Sequence, residues 1–291
     1  MIYRVSYISD TYKVKGYLAL PYGMNVDQEV LQLSLQQFYD RTDLEVEQIA
    51  CPLHHPHEDV HEQRLSVFVY CRGGIGRVGS VRATWLERFA QHGQLVFAPC
   101  YRGAEGGEGW DQFGGADAQD VTSALDWLST LSFVDETRIS LMGFSRGSVN
   151  ATLAAATWQQ QDTGNGETDN GVYRLVLWGG VADLALTYEE RIDLRRMLKR
   201  VIGGSTGKYP ERYEARSPVA LAPQLSCPVL IIHGEQDMQV DPGHGKLMRE
   251  RLEELHKPFA VHWYEHYGHH MPEEIHKQAI ARMFEWLEGP A

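Results

Sequence analysis

The sequence predicts an α/β fold in which a mostly parallel central sheet carries helices on both faces. Three features point there. Near-continuous apolar runs of strand length at residues 65–70 (LSVFVY), 95–98, 174–178 (RLVLW) and 228–232 read as strands buried on both sides. Segments with helical spacing separate or follow them, at 85–92, 118–131, 246–255 and 274–287. The strand at 65–70 runs into the glycine-rich, basic stretch 71–82, where an α/β sheet presents backbone amides to a ligand.

The alternation is preceded by a different pattern. Residues 2–8 and 14–20 alternate with period two around Ser9, Asp10 and Thr11, which predicts a hairpin closed by Pro21 and Gly23. A helical pattern over 26–39 (Val30, Leu31, Leu35, Phe38) starts after Asn25 or Asp27, and residues 44–49 read as another strand. Together these form an amino-terminal extension over about residues 1–62. Its last part, CPLHHPHEDVHE, holds His54, His55, His57 and His61. Neutral imidazoles suit zinc or nickel, but Pro56 interrupts the segment and the spacing does not match one helix face. A solvated loop is the reading, with neither metal nor cofactor expected.

After residue 93 the chain returns as the strand 95–98, followed by a loop, PCYRGAEGGEGWDQFGGADAQD, too rich in glycine to be core. The helix over 118–131 (Val121, Leu125, Trp127, Leu128) leads to a strand containing Ile139, Leu141 and Met142. Residues 159–171 (QQQDTGNGETDNG) read as an exposed loop, since the strand 174–178 follows at once. Residues 181–224 hold charged helical material at 189–201 and turns at Gly203, Gly204, Pro210 and Pro218. They are expected to form a lid-like excursion over the carboxyl end of the sheet. No composition break divides the 291 residues, so a single domain over 1–291 is expected.

A net charge of -12 and a pI near 5.5 argue against nucleic acid and against an anionic membrane surface as partners. Cys51, Cys71, Cys100 and Cys227 lack metal or redox spacing and read as buried thiols of a reducing compartment. The first twenty residues lack a basic-then-apolar leader pattern, and no run approaches the roughly 18 apolar residues of a spanning helix. A cytoplasmic protein is the expectation.

The chemistry centres on Gly143-Phe144-Ser145-Arg146-Gly147, a G-x-S-x-G pattern between a short strand and a small-residue helix. That context makes a nucleophile elbow: the serine occupies a strained turn, and a side chain at 143 or 147 would crowd it. A serine hydroxyl is a weak nucleophile at neutral pH, so acyl transfer needs a histidine base and a carboxylate that fixes its tautomer. In the α/β-hydrolase fold the acid comes next in sequence and the histidine last. The strand 229–232 is followed by His233, Gly234, Glu235, Gln236 and Asp237. Asp237 is preferred as the acid, ahead of Glu235 and Asp241. The strand 259–264 is followed by Glu265, His266, Tyr267, Gly268, His269 and His270. Gly268 frees the loop to present His269, preferred over His270 and His266. The oxyanion would meet the backbone amides of Arg146 and Gly73. Arg72 and Tyr101 are the candidates for substrate contact. The side chains of Arg72 and Arg146 either border the pocket as cations or form structural ion pairs, and Arg102 is expected to hold its loop through Asp117 or Asp120.

The chain resembles the catalytic domain of the prolyl oligopeptidase family of serine peptidases. The matching stretches are GYLALPYG (16–23), VYCRGG (69–74), VFAPCYRGAEGGEGWDQFG (96–114), DVTSALDWL (120–128), RISLMGFSRG (138–147), GGVADL (179–184), ARSPVALAPQLSCPVLIIHGEQDMQV (215–240) and YGHHMP (267–272). The resemblance implies Ser145 as nucleophile, Asp237 as acid, His269 as base and the amides of Gly73 and Arg146 as oxyanion donors. It also implies a small peptide or acyl-peptide substrate, with a carboxylesterase or deacetylase acting on small acyl esters as the alternative. Family members commonly carry a β-propeller that admits only short peptides. This sequence is read as a member without one, in which association of identical chains would supply the size filter. Three features depart from the family pattern. Arg72 stands where relatives have His or Tyr, Ser148 follows Gly147 where two glycines are common, and no paired glutamates for a substrate amino terminus are found.

Overall fold

The computed structural model describes residues 1–50, 64–75, 78–158 and 171–290. The four histidines between 54 and 61 and most of the loop expected at 159–171 lie outside them. The chain opens with the predicted hairpin, β1 (Ile2–Ser9) and β2 (Tyr12–Ala19), then α1 (Gln28–Tyr39) and β3 (Val46–Ala50). Asp27, not Asn25, caps α1, its carboxylate accepting the Glu29 amide at 2.9 Å. The alternating part follows: β4 (Leu65–Cys71), α2 (Ala83–Ala90), β5 (Leu95–Pro99), α3 (Gln119–Leu128), β6 (Val134–Phe144), α4 (Gly147–Thr157) and β7 (Arg174–Trp178). Four short helices then occupy the excursion: α5 (Leu184–Glu190), α6 (Arg195–Ile202), α7 (Pro210–Glu214) and α8 (Pro218–Leu221). The chain closes with β8 (Val229–Gly234), α9 (Pro242–Glu254), β9 (Phe259–Tyr264) and α10 (Glu273–Glu288). Helix α9 begins four residues before the predicted start at 246. Asp241 accepts the Gly243 amide at 2.7 Å and Pro242 sits at the first helical position, a start signal that outweighs Gly243 and Gly245.

The described strands form one sheet of order β3-β1-β2-β5-β4-β6-β7-β8-β9. Strands β4 to β9 run parallel, while β1 and β2 pair antiparallel and join through β2 and β5. Period-two alternation splits each central strand between two cores. Val67, Val69, Leu141, Leu175 and Ile231 face α1, α3, α4 and α9; Phe68, Tyr70, Met142, Val176 and Ile232 face α2 and α10. This double burial is why the strands read as unbroken apolar runs. A third, smaller cluster (Phe113, Val149, Leu184, Tyr188, Leu198, Tyr213) ties the excursion to α4. The strand order reverses at β4, between β5 and β6, which is the switch point where the carboxyl ends of such sheets open a crevice.

Arg102, in the loop after β5, is buried with Asp120. Its Nε and Nη2 donate to Asp120 Oδ1 at 3.0 and 2.6 Å, and Nη2 also reaches Ser9 and Asp10. Of the two partners expected, Asp120 is the one used. Removing one member strands a buried charge, so Arg102→Ala is expected to cost about 3–5 kcal/mol, read as a lowered denaturant midpoint at unchanged slope. A loss within about 1 kcal/mol, the range of an exposed pair, would show that the ion pair does not act as a buried one. Among the described residues no helix is long and apolar enough to cross a membrane, and no group of three His, Cys, Asp or Glu side chains converges as a metal-ligand set.

Candidate active site

Strand β6 ends at Phe144 and α4 starts at Gly147, so Ser145 and Arg146 make the whole turn between them. Ser145 adopts φ 57°, a left-handed conformation that a residue with a Cβ takes only when its surroundings impose it. Three backbone hydrogen bonds do so. The Ser145 amide donates to Trp178 O at 2.9 Å, and its carbonyl accepts from Ser148 at 3.1 Å and Val181 at 3.3 Å. The flanking glycines answer to close approach rather than to φ. A Cβ on Gly147 would sit 2.0 Å from Cys71 O, and one on Gly143 would sit 2.3 Å from Ser148 Cα. Helix α4 therefore starts against the backbone of β4, with Gly73 beside Ser145: a Cβ at 73 would lie 3.0 Å from Ser145 Cβ. Ser148, in place of a second glycine, is accommodated because it donates to Gly143 O at 3.0 Å and packs on Gly180.

Asp237 and His269 come from the loops after β8 and β9. His269 Nδ1 lies 2.7 Å from Asp237 Oδ2, and both side chains are buried. The other carboxylate oxygen, Oδ1, accepts the amides of Gln239 at 2.8 Å and Val240 at 3.0 Å. His233, read from sequence only as the end of a strand, is fully buried behind this pair. Its Nε2 stands 3.0 Å from Val240 O and 3.5 Å from Asp237 Oδ2. Burial alone would raise the Asp237 pKa, but hydrogen bonding to His233 and His269, the charge of His269 and the Val240 amide hold it well below the usual carboxylate range. Gly179 was also not singled out by sequence. At φ 51° it floors the pair, and a Cβ there would lie 3.2 Å from His269 Nδ1 and 3.4 Å from Asp237 Oδ2. The competing acids stand elsewhere: Glu235 is exposed and Asp241 caps α9. His266 is exposed, and His270 packs on the Phe144 ring at 5.7 Å.

Ser145, His269, Gly73 and Arg146 line one cavity of about 320 Å³ at the sheet's switch point. Phe113, Phe144, Val181, Leu194 and Met197 supply apolar wall, the last three from the excursion. Its charged lining residues are all cationic among the described residues; no Asp or Glu faces it. His270 borders it too, and burial, with His269 and Arg82 nearby, lowers its pKa.

The two residues expected against the substrate are placed otherwise. Arg72 and Tyr101 are buried outside the cavity wall. The Arg72 guanidinium donates to Cys100 O at 2.7 Å and Gly73 O at 3.1 Å. The Tyr101 ring lies between Arg72 and Arg146, at 4.9 and 4.6 Å from the two guanidinium carbons. These residues thus brace the loop carrying Gly73. The Arg146 side chain is buried and takes the structural alternative, an ion pair. Nη1 reaches both oxygens of Asp111 at 2.6 and 2.8 Å and Nη2 reaches Asp117 at 3.2 Å. Burial alone would raise the Asp117 pKa, but Arg146, Asn150 and the amides of Gly114 and Gly115 keep it low. For Asp111 burial wins, and its pKa rises despite Arg146.

Comparison with known proteins agrees with this architecture. Residues 80–290 match the model of the prolyl oligopeptidase family. The chain is 42% identical over 222 residues, 76% of its length and 82% of the relative's, to the uncharacterized peptidase YtmA of Bacillus subtilis (strain 168). It is 25% identical over 193 residues to dipeptidyl-peptidase 5 of Porphyromonas gingivalis, covering 61% of this chain and 26% of that one. Among solved structures, the Pyrococcus horikoshii acylaminoacyl peptidase superposes with TM-score 0.70 at 15% identity, over 98% of this chain and 41% of that chain. A puromycin-hydrolyzing peptidase of Mycobacterium tuberculosis superposes with TM-score 0.69 at 21% identity, over 97% and 38%. The chain thus spans about two fifths of those solved proteins, and the likeness to them is one of fold. The chain belongs to the prolyl oligopeptidase family of serine hydrolases.

Proposed function

We propose that the protein cleaves small acyl-blocked peptides through an acyl-enzyme on Ser145. The observation that carries this reading is the 2.7 Å contact of His269 Nδ1 with Asp237 Oδ2, in a cavity that His269 shares with the left-handed Ser145. Ser145 Oγ attacks the scissile carbonyl carbon while His269 Nε2 takes its proton. Ionised Asp237 holds the hydrogen on Nδ1 and stabilises the imidazolium. The carbonyl oxygen, now negative, is met by the amides of Gly73 and Arg146, whose positions are braced by Arg72 and by the Arg146 ion pairs. Collapse breaks the C–N bond as His269 returns the proton to the leaving nitrogen. Water then repeats the cycle on the ester and frees Ser145.

The blocked amino terminus follows from charge. A free ammonium bound in this cavity would find no carboxylate on the wall and the guanidinium of Arg82 beside it, the other two lining arginines, Arg146 and Arg191, being paired with Asp111 and Asp117 and with Asp193. An acyl cap removes that charge. Leaving a buried polar group unpaired costs about 1–3 kcal/mol, so N-acetyl-aminoacyl anilides are expected to exceed the free aminoacyl anilides about tenfold or more in kcat/KM. Equal turnover of the two would remove the preference for a blocked terminus. Rapid turnover of p-nitrophenyl acyl esters with no detectable anilide cleavage would make the protein a carboxylesterase instead.

A further inference from the structure

Next to the catalytic cavity is a second one of about 250 Å³. Arg82, Trp85, Phe144, His269 and His270 line both cavities, while Ser145 and Gly73 line only the first. The division has a chemical meaning under the reaction proposed above. The acyl part of the substrate lies over Ser145 and its oxyanion donors, and the leaving nitrogen must lie where His269 can protonate it. A leaving group that passes His269 away from Ser145 and Gly73 would enter the second cavity.

Its lining selects for an anion. Arg82 is exposed and has no carboxylate within ion-pair distance among the described residues. His276 is 7% exposed, lodged between Trp85 and Trp178 at ring separations of 4.6 and 5.3 Å. A guanidinium can only donate, so Arg88 Nη1 donates to His276 Nδ1 at 3.4 Å and the imidazole hydrogen resides on Nε2. That Nε2 has no partner among the described residues and is enclosed, with almost no exposed surface. Burial, with Arg88 and His270 nearby, pushes the His276 pKa down to about 4, so the ring remains a neutral donor near pH 7. Among the described residues the cavity's only carboxylate is Glu273, already held by Arg88 at 2.8 Å and Lys277 at 3.4 Å. Helices α2 and α10 both begin at this cavity, after Arg82 and Pro272, without a side-chain cap; the first turn of α10 already carries Glu273 and Glu274, which leaves the positive end of α2 for an anion.

The geometry points to a leaving-group subsite for a carboxylate, with the exposed guanidinium of Arg82 as its donor and the neutral, enclosed His276 ring in its wall. The volume suits one residue, since a cavity of about 150 Å³ already holds a benzene ring. The enzyme would then release the carboxy-terminal amino acid of a short blocked peptide. This inference rests on the acyl-enzyme reading above, and p-nitrophenyl acetate, whose leaving group bears no carboxylate, tests that reading separately.

The experiment compares N-acetyl dipeptides ending in a free carboxylate with the same dipeptides as carboxy-terminal amides, in the wild-type enzyme, R82Q and R82K. A side-chain carboxylate is tested by N-acetyl dipeptide amides ending in glutamate. The wild type is expected to favour the free acid about tenfold or more in kcat/KM, the worth of one charge-assisted hydrogen bond. The acid-to-amide ratio should fall toward one in R82Q and recover in part in R82K. Preference for the glutamate amides with no preference for the free acid would overturn release of a terminal residue. A wild-type ratio near one, a ratio unmoved by R82Q, or ester turnover without dipeptide cleavage would overturn the subsite while leaving Ser145 as nucleophile. Loss of ester turnover itself would overturn both.

Discussion

Ser145→Ala is expected to lower kcat/KM for esters and amides by roughly 10⁴-fold or more and to abolish labelling by a fluorophosphonate, while the protein still unfolds cooperatively. The substitution removes one hydroxyl and no backbone contact. The turn at φ 57° is imposed by the hydrogen bonds from Ser145 N to Trp178 O and from the Ser148 and Val181 amides to Ser145 O, all of which an alanine retains. Activity and fold should therefore separate. Residual turnover at a substantial fraction of wild type, or fluorophosphonate attached to any other residue of the folded protein, would dismiss Ser145 as the nucleophile.

Asp237→Asn should be the next most damaging change, with kcat lowered by about 10⁴-fold. An asparagine turned to donate toward His269 would leave Nδ1 as acceptor and move the imidazole hydrogen to Nε2, the atom that must accept the serine proton. The carboxylate also anchors its own loop through the Gln239 and Val240 amides, so the asparagine oxygen must keep that role while its nitrogen faces a histidine. Glu235→Gln serves as the control, since Glu235 is exposed. The effect has a pH signature. Because the folded-state pKa of Asp237 is depressed, its ionisation contributes stability that is fully present above an unfolded value of about 3.9 and is lost as pH falls toward the folded pKa. Asp237→Asn should therefore flatten the acid side of the stability profile measured by denaturant titration. An acid limb identical to wild type, or a variant with near-normal kcat, would dismiss Asp237 from this role.

The central strands and their helices were legible because burial on two faces leaves a mark in composition. Strands with both faces dry must be apolar at every position, as in LSVFVY and RLVLW. The candidate nucleophile, acid and base were legible for a related reason: each follows a strand end, and strand ends in a parallel sheet lie along one edge. Helix starts were less legible where glycine and proline cluster, and α9 begins earlier than periodicity alone suggested because a cap and a first-turn proline decide it.

What the amino-acid order determined by itself is therefore the set of chain positions brought to the carboxyl edge of the sheet, since parallel crossovers bring every strand end to that edge whatever the loops between them do. The roles of the charged side chains around that edge were decided only in three dimensions. Arg72 and Arg146 read as pocket residues or ion-pair formers with equal ease and Tyr101 as a pocket residue, and the fold sets Arg72 and Tyr101 under the Gly73 loop and ties Arg146 to Asp111 and Asp117. No role at the site was read for His233 or Gly179 in the sequence, and the fold sets both against the Asp237–His269 pair. Their partners come from strands and loops far apart in the chain. Which carboxylate a guanidinium meets depends on how long glycine-rich loops return over the sheet, and no local spacing encodes that.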